Sequence, residues 1–86
     1  MKKFTLTIKD KNGLHARPAG VITSCAKQFK SAITVTMEGK EADAKRLLSL
    51  MSLGATCGKE LEFEIVGKDE EEALLELEKI SKEKLG

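Results

Sequence analysis

Eighty-six residues suffice for one hydrophobic core and no more: a folded chain of this size exposes roughly 5,000 Å² and buries about 63% of the surface its unfolded form exposes. With 41% apolar and 34% charged residues the composition is globular, and a net charge of +1 lacks the basic excess with which nucleic-acid binders displace counterions. That charge is unevenly spread: residues 1–50 hold ten basic and four acidic side chains and residues 51–86 hold five and ten, so the amino-terminal half would attract an anion or an acidic surface.

In chain order, Phe4, Leu6 and Ile8 alternate with Lys3, Thr5, Thr7 and Lys9, the period of a half-buried strand. Asn12-Gly13 would ordinarily mark a hairpin, but Leu14-His15-Ala16-Arg17-Pro18 follows and opens a helix instead. Pro18 suits a first helical turn, where a missing N–H has no intrahelical partner anyway, and Ala19, Ile22, Ala26 and Phe29 recur at helical spacing behind it. Ile33, Val35 and Met37 mark a second strand, Glu38-Gly39-Lys40 a turn, and Glu41 to Ala44 a short edge strand. Leu47, Leu50 and Met51 outline a brief helix closed by Gly54, and Leu61, Phe63 and Ile65 a strand with Glu60, Glu62 and Glu64 facing out beside the lysine-bearing first strand. Asp69 and Glu72 read as a capping box for the last helix, whose acidic first turn, basic last turn and stripe of Ala73, Leu74, Leu77 and Ile80 fit its dipole and a core. The order predicts an α+β open-faced sandwich, a four-stranded antiparallel sheet covered on one side by three helices, as one domain over residues 1–86.

Most chemistry is poorly supplied. No run approaches the roughly 20 apolar residues of a membrane span, and the start lacks the apolar core of a signal peptide, so a cytoplasmic protein is expected. Cys25 and Cys57 with one His make no zinc set and read as reduced thiols, and no phosphate-binding G-x-x-x-x-G-K-[ST] run occurs. The exception is the start of the first helix. His15 sits there beside free backbone N–H groups and the positive end of the helix dipole, and Arg17 adds a planar donor fork suited to phosphate oxygens. An imidazole of ordinary basicity keeps a lone pair at pH 7 without a separate base, so it could take a phosphoryl group as a nucleophile. On residue pattern alone the plainer account, an exposed helix cap beside a solvated cation, stands first. Leu47, Leu48, Leu50, Met51 and Leu53 are also too many for one stripe, so Leu48 and part of Leu47 or Met51 should face solvent, either as a docking patch or as ordinary surface.

Gly13-Leu14-His15-Ala16-Arg17-Pro18-Ala19, followed by Lys45-Arg46-Leu47-Leu48-Ser49-Leu50-Met51-Ser52-Leu53-Gly54, resembles HPr, the histidine-containing phosphocarrier of the phosphoenolpyruvate-dependent sugar phosphotransferase system. The resemblance covers essentially the whole chain, and the specificity of the first run reverses the preference at His15. It implies that His15 accepts a phosphoryl group on Nδ1 from phospho-enzyme I and passes it to enzyme II A components, with Arg17 and the Ala16 and Arg17 N–H groups assisting. It implies further that Gly20, Leu47, Leu48 and Met51 join the partner surface, without metal or organic cofactor; charge and hydropathy already argue against nucleic acid and membrane insertion. A carrier that presents one face to successive partners is most simply a monomer. Many family members carry a regulatory serine where this chain has Arg46, which has no hydroxyl, and Ser49 and Ser52 are weak substitutes inside the helix. Gly20 and Ser49 are lesser departures. A regulatory binding module, and a carrier in a nitrogen- or dihydroxyacetone-related branch, remain the alternatives.

Overall fold

The computed structural model describes all 86 residues, and each alternating run becomes a strand in it. Strands β1 (Lys2–Thr7), β2 (Ala32–Met37), β3 (Lys40–Asp43) and β4 (Glu60–Val66) form one sheet in the order β1-β4-β2-β3, every neighbour antiparallel. Helices α1 (Ala16–Ala26), α2 (Leu47–Met51) and α3 (Glu70–Lys84) complete the expected sequence of elements, with α1 against α3 and α2, and α3 against β1 and β4. Period two puts Phe4, Val35 and Phe63 opposite one another across three strands, all buried, and the Phe4 and Phe63 rings stack with centroids 4.5 Å apart. The other face keeps Lys3 opposite Glu64 and Thr5 opposite Glu62, the pairing expected of the glutamate strand. The chain exposes 5101 Å², close to what its size requires, and no helix is long and apolar enough to cross a membrane.

Three local expectations need correction. The first helix ends at Ala26, so Phe29 lies beyond it; bonds from Gln28 N–H to Cys25 O and Phe29 N–H to Ala26 O tighten the exit, and Phe29 still packs half-buried on the core. The stripe of α3 is narrower than expected: Ala73 and Leu77 are buried with Ser81, whereas Leu74 and Ile80 are half-exposed. The capping box does not form. Asp69 stands at the N-cap of α3 without capping it, because its carboxylate accepts the Lys30 N–H at 2.9 Å, the Ser31 N–H at 3.0 Å and the Ser31 hydroxyl. Those amides lead into β2 and need partners of their own, so the carboxylate ties two elements together instead of closing one helix. Glu70, the first residue of α3, turns back instead to the preceding loop, its Oε1 accepting the Gly67 N–H at 3.1 Å and its Oε2 facing the terminal ammonium at 2.7 Å.

The Ser31 hydroxyl and then the Lys30 amide hold the Asp69 carboxyl below its ordinary value. Its stabilisation is therefore complete above the unfolded value of about 4 and is lost as pH falls through the lower folded value. Asp69→Asn should melt earlier than the parent at neutral pH, and thermal melts recorded on progressive acidification should show the two midpoints converging.

Candidate functional site

Beyond β1 the chain is fastened residue by residue. Ile8 exchanges backbone bonds with the 58–59 turn, donating to Lys59 O at 2.9 Å and accepting from Gly58 N–H at 2.7 Å, while Lys9 and Asp10 both donate to Leu85 O. Asp10 then closes a tight turn: its Oδ1 accepts the Asn12 N–H at 2.8 Å and its carbonyl the Gly13 N–H at 3.0 Å. Gly13 is buried at φ +67°, and a Cβ there would lie 2.5 Å from Ala55 O. Only glycine fits, which is why Asn12-Gly13 turns into a helix start rather than a hairpin. Leu14, buried, donates its N–H to Ala55 O at 2.9 Å.

His15 follows in extended conformation as the N-cap of α1, its carbonyl accepting the Ala19 N–H at 3.0 Å. Its imidazole makes no capping bond and is 38% exposed, with Nε2 3.6 Å from Asp10 Oδ2. The N–H groups of Ala16 and Arg17 have no acceptor within the chain, and Pro18 has no N–H to satisfy. Arg17 is exposed and forms no ion pair. The fold thus brings His15, Ala16 and Arg17 together at one helix end, where a ring nitrogen, two orphan donors and an exposed guanidinium can surround an anion.

On α2, Leu50 is fully buried while Leu47 and Leu48 are 41% and 84% exposed and Met51 lies between. Gly20, half-buried with open space around it, shares with Arg17 the rim of a shallow groove between α1 and α3. Arg46 is the exposed N-cap of α2; its carbonyl accepts the Leu50 N–H at 3.0 Å, but its guanidinium has no acceptor to offer the first-turn amides. Ser49 Oγ accepts the Asp43 N–H and Ser52 Oγ donates to Ser49 O, so both hydroxyls are already bonded within the fold. Cys25 is buried, its thiol pushed up by desolvation and then by Glu76, and Cys57 is exposed, so neither forms a disulfide. No three His, Cys, Asp or Glu side chains are grouped to hold a metal. Sequence reading missed Asp10; the signal was present as an Asp two residues before Asn12, which can fold its side chain back toward the histidine.

Comparison with known proteins decides the family. Residues 2–83 match the family model described as the PTS HPr component phosphorylation site. The chain belongs to the HPr family. It is 45% identical to the phosphocarrier protein HPr of Mycoplasma genitalium over 75 residues, 86% of this chain and 85% of that one. It is 42% identical to the HPr of Borreliella burgdorferi over 77 residues, 90% of each chain. Among solved structures, an HPr of Thermoanaerobacter tengcongensis superimposes with TM-score 0.91 at 40% identity, covering 98% of this chain and 94% of that one. Crh of Bacillus subtilis, a catabolite repression protein solved as a domain-swapped dimer, superimposes with TM-score 0.77 at 34% identity, covering 100% and 99%. The open-faced sandwich is accordingly the HPr fold.

Gly13→Ala should destabilise the fold by about 2 kcal/mol or more, since left-handed backbone and a clash with the Ala55 carbonyl act together. Urea unfolding measures it, and a change within a few tenths of a kcal/mol would show that the loop is not pinned there.

Proposed function

We propose that this HPr-family phosphocarrier takes a phosphoryl group on His15 from phospho-enzyme I and delivers it to enzyme II A components in sugar uptake. The observation that carries this reading is the half-exposed imidazole at the N-cap of α1, flanked by the unpartnered Ala16 and Arg17 N–H groups. A ring nitrogen attacks phosphorus as the donor's bond breaks; the three equatorial oxygens then meet the two amides, the helix dipole and the Arg17 guanidinium. The family resemblance assigns the phosphoryl group to Nδ1, and the placement of Nε2 3.6 Å from Asp10 Oδ2 supports that choice by leaving Nδ1 as the other ring nitrogen. Transfer onward reverses the step. A ring open to solvent suits a group that must be handed on, because it leaves room for a partner's acceptor in line with the nitrogen.

Leu47, Leu48 and Met51, together with Gly20, form the surface on which both partners dock, and the monomer is the working unit because one face must serve successive partners. Arg46 in place of a serine removes hydroxyl-based switching at the start of α2, and the bonded hydroxyls of Ser49 and Ser52 do not replace it. Regulatory paralogues of HPr commonly lose the histidine and keep the serine; this chain does the reverse, which favours transfer over a purely regulatory role. Similar carriers serve nitrogen- and dihydroxyacetone-related branches, and the identity of the enzymes II that accept from this chain separates them.

Incubation with enzyme I and phosphoenolpyruvate should add one acid-labile phosphoryl group, read by intact mass. His15→Ala should abolish it, and labelling at parental stoichiometry in that variant would refute the assignment. Arg17→Ala should still fold and should slow transfer by about 10²-fold, the usual loss when one charge-stabilising donor is removed.

A further inference from the structure

Asp10 is fastened at its backbone on both sides and at one oxygen of its side chain. Its Oδ1 is tied by the Asn12 N–H at 2.8 Å, its carbonyl by the Gly13 N–H at 3.0 Å and its own N–H by Leu85 O at 3.2 Å, which leaves Oδ2 facing His15 Nε2 at 3.6 Å. That separation is longer than a hydrogen bond, so the carboxylate acts on the ring through its charge. We propose that Asp10 is a positioning residue that keeps the proton on Nε2 of His15 while Nδ1 carries the phosphoryl group. The proposal rests on the reading of His15 given above.

The chemistry gives that proton a role. When the Nδ1 lone pair forms the N–P bond, the donor's bond to phosphorus breaks and its electron pair stays with the donor. The ring, retaining its Nε2 proton, becomes cationic, and the carboxylate beside Nε2 stabilises that charge. When the group leaves, the N–P electron pair returns to Nδ1 and the ring departs as neutral imidazole. Without the Nε2 proton it would have to depart as an anion, a far poorer leaving group. Asp10 therefore extends toward higher pH the range in which the loaded protein can transfer. Of the other charged or titratable groups, Arg17 on α1 and Lys9 and Lys11 in the preceding loop flank the pair in sequence, the Cys57 thiol meets the Lys9 carbonyl at 3.7 Å, and the Lys59 ammonium is paired with Glu38 at 2.8 Å. Only Asp10 brings a carboxylate oxygen within 4.0 Å of a ring nitrogen.

The test loads the full chain chemically with phosphoramidate, and separately with enzyme I and phosphoenolpyruvate, then follows the phosphohistidine resonance by phosphorus NMR as pH is raised. Asp10→Asn keeps the oxygen that accepts the Asn12 N–H and removes the charge. The midpoint of its phosphohistidine titration should fall below the parent's, because the carboxylate that favours the cationic ring is gone. Asp10→Glu should recover part of that shift. Coincident midpoints for Asp10→Asn and the parent, or equal shifts for the Asn and Glu variants, would overturn the proposal while leaving His15 as the carrier. Failure of both reagents to load His15 in the parent would overturn the carrier reading and this one with it.

Discussion

The close approach of the Gly13 backbone to Ala55 and Thr56 is the constraint on which the site depends. With no Cβ at residue 13 the two segments touch, Leu14 reaches Ala55 O, and its side chain drops into the core. That anchor leaves the next residue in extended backbone and the one after it in α1, so His15 can only be the N-cap. The other side of the contact begins just after α2, where Leu53 and Ala55 are buried. One segment thus fixes both the start of α1 and the end of α2, and holds the histidine and the exposed leucines in a set relation.

Charge is distributed to the same end. The first turn of α3 carries Glu70, Glu71 and Glu72, which neutralise its dipole, whereas the first turn of α1 carries no acid at all. The positive end of α1 is left for something outside the chain, in the half of the sequence that holds ten basic and four acidic side chains. The single carboxylate allowed near that end, Asp10, stands off the far nitrogen of the ring instead of in front of the orphan amides. On the proposed function, an anion arriving at the helix end would meet donors, and the cationic ring that results would meet a counter-charge behind it.

Strands were legible because burial on one face imposes a period of two that no other arrangement reproduces: Phe4, Leu6 and Ile8 or Leu61, Phe63 and Ile65 could hardly be read otherwise. The position of His15 at a helix start was legible as well, from Pro18 and the apolar spacing behind it. What failed was local logic overridden by distant partners. Asp69 has the identity and spacing of a cap, yet the amides of Lys30 and Ser31, almost forty residues away, take its carboxylate. Asp10 failed to draw notice for the opposite reason: its contact with His15 spans five residues, but only a turn forced by the left-handed Gly13 brings the two side chains face to face. Periodicity reports which side of an element is buried; it says nothing of where a loop aims a side chain.

The exposed leucines illustrate how far the core's needs explain a surface. A helix of five residues cannot sustain itself, and α2 is held by burial of Leu50, with Leu53 anchoring its exit. Those two suffice to fix it, so nothing in folding calls for Leu47 and Leu48 on the outer side. Leu75 of α3 is also 69% exposed, but it stands among glutamates and is the ordinary single apolar residue of a small protein. Leu47 and Leu48 differ in being adjacent, backed by half-exposed Met51, and carried on the helix packed against α1, the helix that presents the imidazole. On the proposed function, an apolar patch beside a charged, solvent-open helix end would let a partner bind by desolvating the leucines while leaving the charges free to act on the group in transit. Affinity and chemistry are thereby placed on neighbouring but separate side chains, and a carrier can release its partners without weakening its hold on the phosphoryl group.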